Sequence, residues 1–594
     1  MFFEALAEYY GKLEGVSSRL AMIDILTELL KKTDEDDIKE TIYMTQGILA
    51  PPFEGIETGI AEKFAENAIA LSYGYTKDEV RKAYKKSGDM GSAAETFAAK
   101  GKLSRMSKKK FTVREVFDTM HKIALTSGQG SQDTKIKMLS GVLAASSPLE
   151  ARYVIRFALG TLRLGVGDAT ILEALSKMST GGREFKGELE AAYNICSDMG
   201  KVGYTLLKSG KIGIENFRIS LFNPYRPALA ERLPTAEEIL EKMHGKCSVE
   251  SKYDGLRAQV HMDKKAKKVE IFSRNLERLT PMFPELVKAA LEYVDADKAI
   301  LEGEAISYNP VSEEFLPFQE TIQRKRKHGI EAKSEEIPIS LFAFDLLYAD
   351  GTEYIGKPYR ERVDRLEKII KKNNTIILAD KKTVTTPTAL DKYFNNAISK
   401  GLEGIVAKDL DSKYIAGARK FSWIKLKRSY KGELSDTVDL VIVGYYLGRG
   451  TRAEFKFGGL LAAVFNDKKD MFETLTKIGT GFTERQMSDL QELLSREKVR
   501  SKPVRVASLA EPDFWINPKY VVTVRADEIT RSPMHTCGKE SYESDEEQGY
   551  ALRFPRLVSD GIRKDKGAEE ATTTNEIISM YRMQKKARVE EETA

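Results

Sequence analysis

The sequence predicts three consecutive domains: a helical domain, a mixed α/β domain and a small β-barrel. Before about residue 215, apolar residues recur at three- and four-residue spacing, which is typical of amphipathic helices. Three prolines then interrupt the pattern within residues 218–235, as in a linker. Strand-like runs follow, and from residue 435 short strands alternate with glycine and charged turns. We therefore expect domains at 1–216, 217–428 and 429–594.

Length and composition set the broad class. With 594 residues, 42% hydrophobic and 31% charged, the chain reads as an ordinary globular protein, and a net charge of +5 excludes a polycation. The first 32 residues read as amphipathic helix and not as a signal peptide, and no apolar run is long enough to span a bilayer. Three distant cysteines, Cys196, Cys247 and Cys537, offer no disulfide framework, so we expect a cytoplasmic protein.

The helical domain is predicted from runs at residues 1–32, 36–50, 114–127 and 150–165, with a turn at 127–133. In the second domain, strand patterns cover 267–274, 298–308, 337–348 and 402–410. The barrel begins with the run at 435–448, and the polar C-terminal tail contains a pattern for one helix. The five histidines show no metal-ligand spacing, which argues against a zinc site built from protein side chains.

Polar residues within the apolar strand patterns of the second domain point to chemistry. Lys252 lies in a run from Val249 to Met262 that alternates like one half-buried strand. A lysine amine becomes a nucleophile when burial or a nearby cation lowers its pKa. Asp254-Gly255 predicts a tight turn that lets the backbone approach a ligand, and Arg257 can hold a phosphate or a ribose hydroxyl.

Three further strand patterns also carry charged residues within an apolar run. Glu302 and Glu304 share one strand face, which suits a hard divalent cation. Glu403 and Lys408 bracket an apolar strand, and Lys425 and Lys427 share a face, as two ammonium groups do around a triphosphate. Each pattern alone also fits a solvated turn, a solvated strand face or a protected sheet edge. Their fixed order, each in a strand context, favours a shared site.

These segments resemble the motifs of the covalent nucleotidyltransferases, which comprise DNA ligases, RNA ligases and mRNA capping enzymes. The resemblance rests on motif I, KYDGLR at 252–257, with FSRNLERLT at 272–280 after it, and on the later motifs LEGEAI at 301–306, LFAFDLLY at 341–348, LEGIVAK at 402–408, SWIKLKRSY at 422–430 and LVSDGIRKDK at 557–566. Residues 128–139 and 152–175 are similar to the DNA-binding domain of ATP-dependent DNA ligases of the archaeal and eukaryotic replicative type.

This resemblance implies an all-α DNA-binding domain, an α+β, ATP-grasp-like nucleotidyltransferase domain and a C-terminal OB-fold barrel. It also implies roles residue by residue. Lys252 would be the nucleophile that takes AMP from ATP. The nucleotide contacts would come from Glu250 and Phe344 at the adenine, Arg257, Arg274 and Glu304 at the ribose and phosphates, and Arg419, Lys425 and Lys427 at the phosphates. Glu304 and Glu403 would hold Mg²⁺, or Mn²⁺ in its place.

The implied reaction seals nicks in duplex DNA during replication, repair and recombination. Lysyl-AMP forms first, AMP then moves to the 5′-phosphate of the nick, and the 3′-hydroxyl finally displaces it. Motif VI residues Arg563 and Lys566 would face the triphosphate in the first step and then swing away with a mobile barrel. Phosphoryl transfer depends mostly on positioning and charge neutralisation, which a metal and a basic cage supply. Lys425, Lys427 and that metal would favour the neutral amine of Lys252.

DNA binding has its own sequence support. Basic clusters lie at 105–114, 263–268 and 324–329, and together they predict sequence-independent phosphate contacts by a monomer that closes around a duplex. The GQGSQD turn at 128–133 offers backbone amides for a phosphate or serves as a structural turn. Replicative ligases often carry paired aromatics just before the FTVREVF segment for a sliding clamp, and here that place reads RMSKKK, so the sequence leaves clamp docking open.

Three alternatives have their own signatures. An RNA ligase or capping enzyme would lack the helical N-terminal domain, and an NAD-dependent ligase would add zinc-binding cysteines, which three scattered cysteines do not supply. A non-enzymatic DNA-binding relative would have lost some motif residues, and all of them are present. The sequence therefore favours an ATP-dependent DNA ligase that associates with the nucleoid in the cytoplasm.

Overall fold

The computed structural model describes residues 1–101, 110–309, 314–315, 339–400, 402–427, 437–448, 456–526, 528–542, 547–558 and 561–582. The first part of the chain is helical. Its helices are α1 Phe3–Glu14, α2 Arg19–Lys31, α3 Ile38–Gln46, α4 Glu62–Tyr73, α5 Lys77–Ser87, α6 Met90–Lys100, α7 Val113–Leu125, α8 Ser131–Ala145, α9 Pro148–Ala158, α10 Asp168–Thr180, α11 Lys186–Cys196 and α12 Met199–Glu215.

Local capping explains where several of these helices begin. Thr76, Thr112 and Ser147 each form a capping box with a glutamate three residues later. The apolar faces of the helices meet in one buried cluster that runs from Phe3 to Ile214. The helix predicted at 150–165 ends earlier, at Ala158, because Gly160 adopts a left-handed φ of 65° that a helix cannot continue.

The middle of the chain contains two sheets. Its strands are β1 Leu229–Arg232, β2 Cys247–Lys252, β3 Leu256–Asp263, β4 Lys268–Ser273, β5 Lys298–Asn309, β6 Glu314–Phe315, β7 Ile339–Ala349, β8 Thr352–Glu353, β9 Ile376–Leu378, β10 Lys381–Val384, β11 Gly404–Lys408 and β12 Arg419–Lys427. Its helices are α13 Ala236–Lys242, α14 Pro284–Tyr293, α15 Tyr359–Ile369 and α16 Pro387–Ser399. Among the described strands, one sheet has the order β1-β12-β11-β2-β10, and the other has β4-β3-β5-β7-β8 with β6 on β5 and β9 on β7.

The segment around Lys252 joins these two sheets. The sequence predicts one strand from Val249 to Met262, and this prediction is wrong. β2 ends at Lys252, and β3 begins at Leu256 in the other sheet. The turn between them packs tightly, because a Cβ on Gly255 would lie 2.6 Å from the carbonyl oxygen of Ala305. A glycine is therefore required where the chain crosses from one sheet to the other.

The C-terminal part contains an eight-stranded sheet, a helix packed on it and a separate two-stranded sheet formed by the strands at 528–532 and 549–553. Its strands are β13 Thr437–Tyr446, β14 Gly459–Asn466, β15 Met471–Ile478, β16 Lys498–Val499, β17 Val506–Ala507, β18 Phe514–Ile516, β19 Val521–Arg525, β20 Glu528–Ser532, β21 Gly549–Arg553 and β22 Arg556–Leu557. Helix α17 spans Glu484–Arg496, and the helix predicted in the tail covers 574–582. The order β16-β18-β13-β14-β15-β17 leaves the two ends unpaired among the described strands, so a closed barrel stays a prediction.

The helical part contacts both other parts of the chain. Phe53 packs edge-on against Phe272, with ring centroids 6.5 Å apart. Arg163 donates a hydrogen bond of 2.7 Å to the carbonyl oxygen of Lys498. The three cysteines are buried and unpaired. Across the described ranges, no helix has the length and apolar character needed to cross a membrane.

Candidate active site

Lys252 lies at the junction of the two central sheets. Its side chain is 24% exposed, and its Nζ donates to Oε2 of Glu403, the residue just before β11. Lys427 Nζ donates to the other carboxylate oxygen of Glu403 at 3.3 Å. Burial acts to raise the pKa of Glu403, but Lys252 and Lys427 outweigh it and hold that pKa well below its ordinary value. The group nearest Lys252 is thus a carboxylate, which the sequence did not indicate.

The two glutamates of β5 differ in their surroundings. Arg257 and Gln259 on β3 are paired in register with Glu304 and Glu302. Glu302 is fully buried and accepts hydrogen bonds from Arg257 at 2.7 Å and from the Tyr414 hydroxyl at 2.8 Å. Arg257 also donates to the carbonyl oxygen of Ala228, and its buried Nε has no hydrogen-bond partner among the described residues. Glu302 therefore anchors Arg257.

Glu304 is half-buried, and its pKa lies above the ordinary value of a glutamate. Burial is the largest cause that raises its pKa, to about 7. The carboxylates of Glu403 and Asp254 add to the rise, and the cations of Lys252 and Arg257 oppose it. A bound metal ion would replace the proton of this carboxyl group and stabilise its charged form. The choice of Glu304 over Glu302 as the metal and ribose residue, which the resemblance implies, stays a prediction.

A second cluster surrounds Phe344. Lys408 on β11 pairs with Glu250 on β2 at 2.7 Å, and the Tyr359 hydroxyl donates to the other oxygen of Glu250. Lys408 Nζ lies 4.5 Å from the ring centroid of Phe344, and the Arg257 guanidinium lies 5.4 Å from it. Glu250 and Lys408 are buried, whereas Phe344 is half-buried.

Phe342 differs from Phe344 in its exposure and its contacts. Its ring is 6% exposed and stacks on Tyr253 with centroids 4.4 Å apart, inside an apolar cluster. Phe344 contacts the edge of Trp423 at 5.9 Å and lies between two cations. Of these two rings, Phe344 is the one with accessible surface beside the polar cleft.

The residues assigned to phosphate contacts meet carboxylates of the C-terminal part. Lys425 Nζ pairs with Glu576 at 2.7 Å, and Arg274 Nε lies 3.0 Å from Glu570. Glu576 belongs to helix 574–582 and Glu570 to the turn Ala568–Glu570. Arg419 begins β12, and its side chain lies outside the described residues. The anions opposite Lys425 and Arg274 are therefore the protein's own.

Motif VI also lies beside the site. Arg563 pairs with Asp565 at 2.6 Å, and Lys566 pairs with Asp439. Asn275, next to Arg274, donates to the carbonyl oxygen of Asp565 at 3.2 Å. Arg563 lies near enough to Asp254 for each to affect the pKa of the other. The C-terminal part therefore lies against the residues next to Lys252 in this structure.

The residues around Lys252 offer oxygen donors for a metal ion but not a complete set of protein ligands. Glu304 and Glu403 contribute carboxylates on either side of Lys252, and Asp254 adds a third negative charge nearby. Within the described ranges, no group of three or more histidine, cysteine, aspartate or glutamate side chains is close enough to hold a metal by itself. This donor set fits Mg²⁺, which typically takes one or two carboxylates and completes its shell with water and phosphate oxygens.

Only part of the predicted DNA-binding surface falls within the described residues. The cluster at 263–268 forms the turn between β3 and β4, where Lys265 pairs with Asp297 at 2.8 Å. Of the cluster at 105–114, residues 105–109 lie outside the described residues, and so does all of 324–329. The place of the clamp motif is outside them too. Glycines 128 and 130 have φ of 91° and 77° before α8, as the predicted turn requires.

Several residues of the site were not found from the sequence. Tyr359, Tyr414 and Trp423 hold Glu250, Glu302 and Phe344 in place, and Glu570 and Glu576 face the cations. Single tyrosines and tryptophans give no sequence signal of this kind. The acids of the tail look like solvated surface until the fold brings them to β12 and Arg274.

Comparison with known proteins identifies the family. A profile described as "ATP dependent DNA ligase domain" matches residues 227–427. Profiles described as "DNA ligase N terminus" and "ATP dependent DNA ligase C terminal region" match 2–176 and 453–566. A "Probable DNA ligase" of Dictyoglomus turgidum is 45% identical over 593 residues, and a "DNA ligase" of Sulfolobus acidocaldarius is 43% identical over 603, each covering 100% of both chains.

The chain belongs to the ATP-dependent DNA ligase family. The resemblance inferred from the motifs is thereby confirmed, and the protein is an ATP-dependent ligase enzyme of a family that seals nicks through an adenylate intermediate. A solved structure described as "Pmar-Lig_Pre." is 18% identical, covers 94% of this chain and 99% of its own, and has a TM-score of 0.44. One described as "mycobacterial DNA ligase D complexed with ATP and MES" is 22% identical, covers 58% of this chain and 97% of its own, and has a TM-score of 0.32.

Proposed function

We propose that this ligase seals nicks in duplex DNA with Lys252 as the nucleophile. The observation that carries the proposal is the position of Lys252 at the junction of the two sheets, with Glu403 and Lys427 against it. In the first step, Lys252 Nζ bonds to the α-phosphorus of ATP, the bond to the β-phosphate oxygen breaks, and pyrophosphate leaves. In this step Lys252 Nζ also gives up a proton to solvent, with Glu403 beside it as the counter-ion.

The next two steps transfer the adenylate. The 5′-phosphate at the nick attacks the phosphorus of lysyl-AMP, which breaks the N–P bond and returns Lys252 as a free amine. The 3′-hydroxyl then attacks the activated 5′-phosphate, forms the phosphodiester and releases AMP. Each bond that breaks is replaced by one new bond, and the energy comes from the ATP spent in the first step.

The nucleotide contacts are assigned to the residues around this lysine. Phe344 stacks on adenine with its accessible face, supported by its position between the cations of Lys408 and Arg257. Arg257 and Arg274 contact the ribose and phosphates, and the unpartnered Nε of Arg257 is a donor for that purpose. Arg419, Lys425 and Lys427 neutralise the phosphates, and Glu250 contacts the base.

Glu304 and Glu403 are the proposed ligands of Mg²⁺, with Mn²⁺ as a substitute. The bound metal would stabilise negative charge on the phosphate oxygens during transfer. Because Glu304 has a pKa of about 7, its carboxyl is partly protonated at neutral pH, and metal binding would release that proton.

We assign to motif VI the role of covering the triphosphate in the first step. The contact of Asn275 with Asp565 and the proximity of Arg563 to Asp254 support this closed arrangement. The nicked duplex must reach the same cleft afterwards, so the C-terminal part has to move away before the second step. The ion pairs of Lys425 with Glu576 and of Arg274 with Glu570 would then break.

The domain boundaries 1–216, 217–428 and 429–594 remain our proposal, with an ATP-grasp-like middle domain and an OB-fold barrel at the end. Separate apolar clusters at 3–214, within 219–426 and within 438–581 support them. We propose that the protein acts as a monomer on nicked DNA in the cytoplasm, associated with the nucleoid, and contributes to replication, repair and recombination. A sliding clamp is a proposed partner without a recognised docking motif.

Sealing of a nicked duplex tests the proposal. The wild type with ATP and Mg²⁺ should join a labelled 5′-phosphorylated nick, and Lys252→Arg should not, because a guanidinium cannot act as the nucleophile. A nick whose 5′-phosphorylated strand is RNA is the control substrate that tests the preference for DNA. Joining of RNA only, or joining by Lys252→Arg at the wild-type rate, would overturn the proposal.

A further inference from the structure

The guanidinium of Arg257 is held partly by the chain that leads from the helical part into the sheets. This connecting segment, residues 216–228, runs between α12 and β1. Arg257 donates a hydrogen bond of 2.7 Å to the carbonyl oxygen of Ala228, the last residue of the segment. The N–H of Ala228 donates to the Tyr414 hydroxyl at 2.9 Å, and that hydroxyl donates to Glu302 at 2.8 Å. The position of the connecting segment therefore affects the position of Arg257.

Two buried side chains of β3 hold the connecting segment on the sheet. Gln259 Oε1 accepts from the backbone N–H of Tyr225 at 3.1 Å, and Gln259 Nε2 donates to the carbonyl oxygen of the same residue at 3.3 Å. His261 Nδ1 accepts from the N–H of Phe222 at 3.0 Å. Phe222 has a left-handed φ of 67°, which residues other than glycine rarely adopt, so the bond from His261 holds an unfavourable backbone conformation.

The amide of Gln259 also connects the segment to the pair of Arg257 and Glu302. Because His261 Nδ1 accepts a hydrogen bond, the ring hydrogen is on Nε2, which donates to Gln259 Oε1 at 2.8 Å. Burial lowers the pKa of His261 to about 3, in agreement with a neutral ring. Gln259 Nε2 donates in addition to Oε1 of Glu302 at 3.2 Å. One amide is thus bonded to the connecting segment, to His261 and to the counter-ion of Arg257.

The other side of the connecting segment is bonded to the helical part. The N–H of Arg226 donates to the carbonyl oxygen of Asn194 at 2.9 Å, and its guanidinium donates to Asp168 at 3.0 Å. The side-chain amide of Asn223 donates to the carbonyl oxygen of Cys196 at 3.0 Å. The connecting segment is therefore held between helices α10 and α11 on one side and strand β3 on the other.

We propose that Gln259 is a positioning residue for nucleotide binding: it joins the connecting segment to Glu302 and so fixes the Arg257 guanidinium where it contacts the nucleotide. This inference rests on the proposed function, which assigns the ribose and phosphates to Arg257. Gln259 acts through Arg257, because both hydrogens and both acceptor positions of its amide are used within the protein. By linkage, a nucleotide bound at Arg257 stabilises the connecting segment to the same extent.

Gln259→Met keeps the length of the side chain and removes its amide. Self-adenylation is measured over a range of α-labelled ATP, which gives the maximal rate and the ATP concentration at half that rate. The half-maximal concentration should rise at least about tenfold, the size of one hydrogen bond to a charged group. The maximal rate should stay within about threefold, because a contact made equally before and during transfer affects binding alone.

Glu353→Ala is the matched control. Glu353 accepts from the N–H of Ile219 at 3.2 Å, so it also holds the connecting segment on this sheet. It holds the beginning of the segment, whereas Gln259 holds the part next to Ala228. Glu353→Ala should therefore keep the half-maximal ATP concentration within about twofold of the wild type.

A second measurement does not depend on the folding of a variant. Hydrogen exchange of the backbone amides of 219–228 is compared in the wild type with and without α,β-methylene-ATP, which binds but cannot release pyrophosphate. The nucleotide should slow exchange there at least about threefold more than in helix α5, which serves as the reference. Folded Gln259→Met should lose this difference at saturating nucleotide.

The outcomes are distinct. A folded Gln259→Met protein with the wild-type half-maximal ATP concentration overturns this inference and leaves the proposed function standing. An equal rise in Glu353→Ala also overturns it, because the effect would then follow any loosening of the segment. Wild-type exchange in 219–228 that the nucleotide leaves unchanged overturns it as well. A wild type that takes up no label from ATP overturns the proposed function, and this inference with it.

Discussion

The two glutamates of LEGEAI offer a sharp test of how the site is built. Glu302→Gln keeps the shape and removes the charge opposite Arg257. Oε2 of Glu302 accepts from Arg257 at 2.7 Å and from Tyr414 at 2.8 Å, and Oε1 accepts from the Gln259 amide at 3.2 Å, so the NH2 group of a glutamine would face a donor in either orientation. Because the side chain of Glu302 is 1% exposed, Arg257 would be left buried without its counter-ion. Breaking such a pair costs about 3–5 kcal/mol of unfolding free energy.

Glu304→Gln is the matched control on the same strand face. Glu304 is half-buried, and its pKa of about 7 means that part of the population is already neutral at pH 7. A glutamine imitates that neutral form, so we expect a cost below about 1 kcal/mol. Self-adenylation should respond in a different way from stability: Glu304→Gln should lose it by at least about 100-fold, because the proposed metal ligand is gone.

Urea unfolding, followed by a signal from the middle part of the chain, measures the difference in unfolding free energy between the two variants. The sequence has two tryptophans, Trp423 and Trp515, and Trp423 contacts both Phe344 and Tyr414. In a Trp515→Phe background, fluorescence therefore reports this region alone. Equal losses of unfolding free energy in the two variants, or a larger loss for Glu304→Gln, would contradict the different roles assigned to the two carboxylates.

Three other predictions follow from the same contacts. Arg563→Ala should slow self-adenylation at least about tenfold while nicks that already carry AMP are sealed within about threefold of the wild-type rate; normal self-adenylation would contradict the covering role of motif VI. Burial lowers the pKa of His261 from 6.5 to about 3, so the unfolded chain takes up the proton first and stability falls by about 2 kcal/mol from pH 7 to pH 5. His261→Gln should flatten that dependence in the Trp423 assay, and an unchanged slope would contradict it. EDTA should abolish labelling by ATP and added Mn²⁺ should restore it; labelling in EDTA would remove the metal from the account.

The motifs could be predicted from the sequence because their chemistry is local. Lys252, Glu304 and Lys427 are polar residues in apolar strands, and the fold brings Lys252 and Lys427 to one carboxylate. The strand period does not separate Phe344 from Phe342, because residues two apart share a strand face; the choice of Phe344 rests on the adjoining Asp345 and stays a prediction. The prolines at 218–235 predict a linker, but the structure places β1 in this segment, from Leu229 onward, paired with β12 of the first central sheet.

Long-range contacts could not be predicted in this way. The run from Val249 to Met262 keeps one alternation, so nothing in it shows that the chain changes sheets at Gly255. The carboxylates opposite Lys425 and Arg274 come from residues about 150 and about 300 positions later, and such pairing depends on how the C-terminal part packs. Arg257 was predicted to contact ligand, and its anchoring by Glu302 depends on strand register.

Mapping the residue that carries the adenylate tests most directly whether Lys252 is the nucleophile. The protein is incubated with α-labelled ATP and Mg²⁺, quenched, digested and mapped, and the labelled pool is chased with nicked duplex. The account predicts acid-labile, base-stable label on the peptide that contains Lys252, none on Lys252→Ala, and passage of the label to the nicked DNA before sealing. Label on another residue, or label on Lys252 that never passes to the DNA, would contradict it.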